Sequence, residues 1–211
     1  MAVGMTYNSL FDAIKTYLER SDATLLSYIP TFIMLAEQRL AREFGGLGFT
    51  RPVTSTMDTN SSGIIAKPAR WRATTSFNIG TGTGYNTRVM LLPRTYEFLR
   101  SYNPDPTVTG QPKYYADYDF QHWLVSPAPD LAYPFEVVVQ EYLEPVSTDN
   151  QTNWLTDYCP DLFLYGCLLE SAPYLKDDER IAMWQERYDR ALKAEIQLGQ
   201  KRLVDRYSEA R

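Results

Sequence analysis

Few side chains in this chain of 211 residues could do chemistry, and their spacing limits which chemistry stays open. His122, the single histidine, stands between Gln121 and Trp123 in a run that alternates like a strand. An imidazole acts as a general base only with a nucleophile and an orienting group beside it, and the sequence holds no GxSxG elbow and no HExxH. His122 therefore reads as a hydrogen-bonded surface residue. Asp177, Asp178 and Glu179 form an acidic cluster, but carboxylates collect at the positive end of a helix dipole without any divalent ion. The glycines of GTGTG, Gly80, Gly82 and Gly84, lack both the GxGxxG spacing and the Lys-Ser/Thr ending of a phosphate loop. They read as a flexible hairpin tip that can become ordered against a partner. Cys159 and Cys167 fit neither a redox CxxC pair nor a zinc site and read as small core residues. The inventory points to no enzyme, no cofactor and no metal.

Composition narrows the classes further. With 44% hydrophobic and 22% charged residues the chain reads as globular and ordered. The balance of 21 basic against 26 acidic residues, a net charge of −5, argues against a broad basic face for gripping nucleic acid. No apolar run reaches the roughly 18 residues that cross a bilayer, and MAVGMTYNSLFDAIK lacks the basic start and apolar core of a signal peptide. A protein made in the cytoplasm with no membrane partner is expected. Sixteen tyrosines exceed what one β core can hide, and side chains with one wet end suit docking interfaces or a sugar-binding surface.

Three changes of texture divide the chain. NSLFDAIKTYLER places Leu10, Phe11, Ile14, Tyr17 and Leu18 at helical steps, with Ser9 and Asp12 in a capping-box pattern. PTFIMLAEQRLAREF predicts a second helix with Pro30 in its first turn, Phe32, Ile33, Ala36, Leu40 and Phe44 inward, and Gly45 and Gly46 ending it. From 47 to 152 the helical spacing vanishes. Strands are expected over 51–56, 73–79, 88–92, 113–117, 122–125 and 136–142, with one short helix at 93–102. Helical spacing returns over 158–172, with Pro160 in its first turn. The last helix opens near Asp177 or Asp178 and carries Ile181, Trp184, Tyr188, Leu192 and Leu198 on one stripe. Residues 1–46 and 153–198 are then expected to pack as a four-helix bundle with 47–152 as an inserted antiparallel β sandwich or barrel, an α+β fold. The segment 199–211 forms a basic tail.

The order of these elements carries more than any single motif. GQPKYYADYDFQHWLVSPAPD is followed by PFEVVVQEYLEP, an asparagine before a short apolar step at Asn153, and PDLFLYGCLLESAPYLKDD. Together with YIPTFIMLAEQRLAREF and the step at Leu91 to Pro93, this series resembles the head-to-tail adaptor proteins of tailed bacteriophages, over about 28–192. Pro173 departs from the pattern and predicts an end or kink in its helix. The resemblance implies a dodecameric ring of copies beneath the portal protein, with a tail tube or nozzle protein below it and genomic DNA passing through. It also implies that the C-terminal tail docks on the portal, which makes Lys201, Arg202, Arg206, Tyr207 and Arg211 candidate docking residues; read from its residues alone, the tail is equally a frayed, solvated helix end. The flexible tip at Gly80, Gly82 and Gly84 is a second candidate docking loop. Such a protein belongs in the neck of the virion. The other readings are a carbohydrate-binding β module on a helical stalk and, below it, a lytic or nuclease enzyme working through His122 or the 177–179 cluster.

Overall fold

The computed structural model describes residues 4–44, 50–59, 62–175 and 179–203, without the side chains of Thr83 and residues 200–203. The chain divides into two units, Met1–Gly48 with Leu143–Arg211, and Phe49–Tyr142. The first is helical and the second is built mainly of strands, a mixed α+β protein with six helices and two sheets among the described residues.

In the helical unit, α1 spans Tyr7–Leu18 and α2 spans Ala23–Glu43. The capping box of α1 is made by Thr6 and Ser9 rather than by Ser9 and Asp12, because Tyr7 is buried and draws the helix start toward the N-terminus. Leu10, Ile14 and Leu18 are buried as the spacing predicts, whereas Tyr17 faces solvent. Pro30 likewise lies inside α2 instead of at its start. Asp22 accepts the Leu25 N–H at 3.0 Å and opens the helix eight residues earlier. Pro30 is exposed, so the Leu26 carbonyl that loses its partner can turn to water. Gly45 and Gly46, expected to end α2, lie outside the described residues.

The return to helix occurs in two steps. The short α4, Trp154–Tyr158, stops at Cys159, and α5 then runs over Pro160–Leu175, so the break falls just before the first-turn proline. Pro173, expected to end or kink the helix, lies inside it, and the helix runs on to Leu175. Buried residues surround α5 on every side: Leu162, Phe163, Leu164, Cys167, Leu168 and Leu169. This suits an element contacted by α1, α2, α4 and α6. At Gly166 α5 faces both α2 and α6, and a Cβ there would make ordinary contact with Tyr188 at 3.4 Å and Ala36 at 3.5 Å. The last helix, α6, spans Ile181–Leu203, reaching past the expected limit of 198. Its Trp184 and Tyr188 are buried, but Leu198 is exposed.

The described residues of the β unit form eight strands: β1 Thr50–Thr56, β2 Ile64–Ala66, β3 Trp71–Thr81, β4 Thr87–Met90, β5 Leu92–Pro93, β6 Tyr114–Asp117, β7 His122–Ser126 and β8 Pro134–Glu141. One sheet has the order β1-β8-β3-β4 and the other β2-β7-β6-β5. Every pairing is antiparallel except β5 with β6. The inner faces share one core. Phe77, Phe135, Val137 and Val139 come from the first sheet and Ile65, Tyr115, Trp123 and Val125 from the second. Phe77 lies at its centre, 5.3 Å from the Tyr115 ring, 5.5 Å from Trp123 and 5.4 Å from Phe135. The strict alternation along β8 supplies one wall. Thr74, between two register shifts of β3, accepts the indole N–H of Trp71 at 3.0 Å and of Trp123 at 2.9 Å. The short α3, Tyr96–Tyr102, packs Leu99 on Ala116 and Leu124, on the outer face of the second sheet.

Candidate docking surfaces

Chain geometry accounts for the three glycines of GTGTG. After β3 the chain makes a single 3₁₀ turn over Thr83–Tyr85 and enters β4, with the Tyr85 N–H donating to the Gly82 carbonyl at 3.1 Å. Gly82 and Gly84 have φ of +78° and +71°, the left-handed region that other residues resist. Gly80 is needed for room, since a Cβ there would lie 2.9 Å from Pro134 Cγ and 3.1 Å from Tyr85 Cβ. Beside this hairpin is a hollow of about 210 Å³ lined in part by Asn78, Tyr85, Arg88 and Glu136. Arg88 donates to Glu136 at 2.8 Å, so the charges of the hollow are already paired.

Exposed aromatic side chains gather around α3. Tyr96, Phe98, Tyr102 and Tyr118 are all exposed. Leu99 anchors α3, and the two flanks of the helix carry rings outward. On one flank Phe98 and Tyr102 meet Tyr114 edge-on at 5.2 and 4.9 Å, with the Arg94 guanidinium over Phe98 and Tyr114 at 5.7 and 5.8 Å. On the other, Arg100 lies over Tyr96 at 5.1 Å, and Tyr96 packs against Tyr118 at 6.0 Å. Aromatic side chains mixed with arginine are the composition of interface centres rather than of ordinary surface.

The residues weighed for catalysis do not converge. His122 Nδ1 is 2.9 Å from Asp119 Oδ2 in the exposed turn between β6 and β7, and Trp123 beside it is core. That carboxylate is held below its ordinary range by the His122 contact. Cys159 and Cys167 are both buried, and burial pushes the Cys167 thiol far above its usual range, which leaves it an inert packing residue. Glu179 is exposed just ahead of α6, while Asp177 and Asp178 lie outside the described residues. No group of three His, Cys, Asp or Glu that could hold a metal occurs among the described residues. None of their helices is long and apolar enough to cross a membrane. Of the basic C-terminal residues, Lys201 and Arg202 fall in the last turn of α6, and Arg206, Tyr207 and Arg211 lie outside the described residues.

One organising residue escapes a reading of the sequence. Glu37 is buried in α2, where its Oε1 accepts the Val146 N–H at 3.0 Å and the Asn153 amide at 2.9 Å. Asn153 in turn caps α4, accepting from Leu155 and Thr156 N–H, and donates to the Glu144 carbonyl at 3.1 Å. The carboxylate thus fastens the segment 144–153, where the chain re-enters the helical unit. Burial pushes the Glu37 carboxyl up to about 7, against the downward pull of its two hydrogen bonds. The sequence carries a signal for it: Glu37 stands four positions after Ile33 and three before Leu40, on the inward stripe.

These features define a protein whose described surface offers aromatic faces and hydrogen-bonded segments rather than a reaction centre. The ordered series of motifs agrees with that class. The chain belongs to the SU10 adaptor protein family, whose match extends over residues 5–210 and takes in both units. This is a family of phage head-to-tail adaptors, structural proteins of the virion. Among curated proteins no sequence matches the chain.

Proposed function

We propose that this protein forms a ring, a dodecamer, beneath the portal, receives the tail tube or nozzle protein on its other side and lines part of the path by which DNA leaves the capsid. The observation that carries the reading is the adaptor-family match over residues 5–210. The exposed rings around α3 support a role in assembly, and the net charge of −5 suits a channel along which DNA slides without sticking. In this reading α1, α2, α5 and α6 work as a four-helix bundle, which their common packing around α5 supports. The C-terminal segment 199–211, with Lys201, Arg202, Arg206, Tyr207 and Arg211, docks on the portal, and the hairpin at Gly80, Gly82 and Gly84 is a second contact.

The test is the sedimentation mass of the purified protein alone and mixed with the portal protein of the same phage. A discrete ring-sized complex supports the reading; a small species that ignores the portal overturns it. Removal of 199–211 should abolish the complex with the portal while leaving the fold intact, checked by circular dichroism and thermal unfolding. Unchanged binding sinks the tail's assignment and leaves the adaptor reading standing.

A further inference from the structure

The hollow of about 210 Å³ beside the β3–β4 hairpin lies on the outer face of the first sheet, wholly within the β unit. In the register of β1, β8 and β3, Thr54 and Asn78 both stand opposite Glu136, which makes a row of three polar side chains roughly 10 Å long. Phe77, Ile79 and Phe135, next to them in sequence, belong to the core, so the row points away from it. One step along the strands, Gly80 pairs with Arg88 and leaves a gap that a Cβ would close against Pro134 and Tyr85. The only charges lining the hollow, Arg88 and Glu136, are bonded to each other at 2.8 Å, and an ionic ligand would have to part them. Its neutral groups are unspent. The Asn78 amide and the Thr54 and Tyr85 hydroxyls make no hydrogen bond to any described residue. An amide or a hydroxyl both donates and accepts, which are the two roles of a hydroxyl on a ligand.

Tyr85 supplies a second, independent observation. Its φ is +57°, in the left-handed region, and the turn places glycines there at its other two such positions, Gly82 and Gly84. A glycine at position 85 would relieve the backbone. The chain instead carries a strained tyrosine whose ring stays 42% exposed in the wall of the hollow, braced at 83° by Tyr133 with 6.4 Å between ring centres.

We propose that this hollow binds one neutral sugar ring, free or at the end of a glycan, with Tyr85 against its C–H face and Asn78, Thr54 and Glu136 on its hydroxyls. A sugar combines an apolar C–H face with a rim of uncharged hydroxyls, which matches a half-exposed ring beside a row of neutral donors and acceptors. The open, wet hollow suits such a ligand, because water can bridge the hydroxyls that the side chains do not reach. The site needs neither a ring of copies nor the helical unit, so it stands or falls apart from the adaptor reading.

The experiment is saturation-transfer NMR on the full chain, which observes the sugar and works on single copies and on rings alike. The probes are glucose, galactose, mannose and N-acetylglucosamine, with glucuronate and glucosamine as charged counterparts. At least one neutral probe should bind, and more tightly than the charged ones. Asn78→Ala, on the outer face of the sheet, should weaken that binding about tenfold. Tyr85→Gly, which frees the backbone as it removes the ring, should abolish it in a chain that thermal unfolding shows to be folded. Tyr96→Ala, an exposed ring on α3, should change nothing. If no neutral probe binds, or the charged probes bind as well, the proposal fails. Binding that Asn78→Ala leaves unaltered, or that Tyr96→Ala removes, puts the sugar elsewhere and overturns the site; should Tyr85→Gly not fold, Asn78→Ala still decides.

Discussion

The Glu37 carboxylate and the Asn153 amide are joined by a hydrogen bond of 2.9 Å across 116 positions of sequence. Through it the middle of α2 holds the N-cap of α4 and, with the Val146 N–H, the whole returning segment. A buried carboxylate is a demanding choice for this task, because two hydrogen bonds do not replace its hydration. The consequence is a proton bound more tightly by the folded protein than by the unfolded chain.

Stability should therefore fall as pH rises across the interval from 4.5 to about 7. Below that interval Glu37 is protonated in both states and its contribution is fully present; above it the folded protein must hold a buried charge. The difference is about 3 kcal/mol. Urea unfolding of the wild type at pH 5 and pH 8 measures it, and Glu37→Gln should flatten the dependence while keeping an acceptor for Val146. Equal slopes in the two proteins would show that Glu37 is not the source.

Asn153→Asp separates the cap from the latch. Aspartate caps a helix as well as asparagine, so α4 should keep its start. The new carboxylate would face Glu37 in place of a donating amide, which raises the Glu37 value further and steepens the loss of stability above neutral pH. Asn153→Ala removes both functions and should cost about 1–2 kcal/mol at pH 5, and more above neutral pH, where the Glu37 carboxylate has lost one of its two donors.

Thr74→Val tests the shared acceptor of the two indoles. Trp123 is 1% exposed, so its N–H would be left without a partner, at a cost of about 1–3 kcal/mol. Trp71 is only half-buried and its N–H can turn to water. Thr74→Ser keeps the hydroxyl and should cost less than half as much. Thermal unfolding followed by tryptophan fluorescence reports both variants.

How far the sequence reveals this fold depends on length and cooperation among neighbours. Long apolar stripes such as Phe32, Ile33, Ala36 and Leu40 are legible because many residues repeat one period. Six of the strands stand near their expected places, and β8 reads almost residue by residue from its alternation. Ile64–Ala66 does not, since three residues cannot display a period; only the finished sheet, with Ile65 opposite Trp123, makes them a strand. Pro30 misleads for another reason. Its preference for first turns is statistical, whereas the exposed side of α2 tolerates the missing N–H, and Asp22 decides the start. Among the candidate docking residues, the three glycines follow from hairpin geometry, while the rings around α3 are adjacent only once β6 and the helix are packed together.

Gly63 is the most constrained glycine of the β unit. Its φ is +79°, and a Cβ would lie 2.5 Å from the Val125 carbonyl oxygen while the Gly63 carbonyl accepts the Val125 N–H at 2.8 Å. Gly63→Ala should cost about 2 kcal/mol or more, combining left-handed strain with a clash against backbone. The damage should centre on the β2–β7 pairing, seen as faster amide exchange at Ile65 and Val125 than in α2 or α5.

A shared cluster of α2 and α5 side chains holds α6. The Tyr188 hydroxyl donates to Glu43 Oε2 at 2.5 Å, Arg39 pairs with Glu43 at 2.9 Å and with Glu170 at 3.4 Å, and the Arg39 guanidinium lies 4.6 Å from the Tyr188 ring centre. One arginine thus ties three helices, α2, α5 and α6, around a buried ring. Tyr188→Phe keeps the ring and the cation above it and loses only the hydroxyl bond, so it should cost about 1–2 kcal/mol. Tyr188→Leu also removes the aromatic face and should cost about 1 kcal/mol more. If the two variants lose the same stability in urea unfolding, the hydroxyl alone carries the contact. If Tyr188→Phe loses nothing, α6 is held by packing of Trp184 and the ring, and the Glu43 bond only sets the orientation of the side chain.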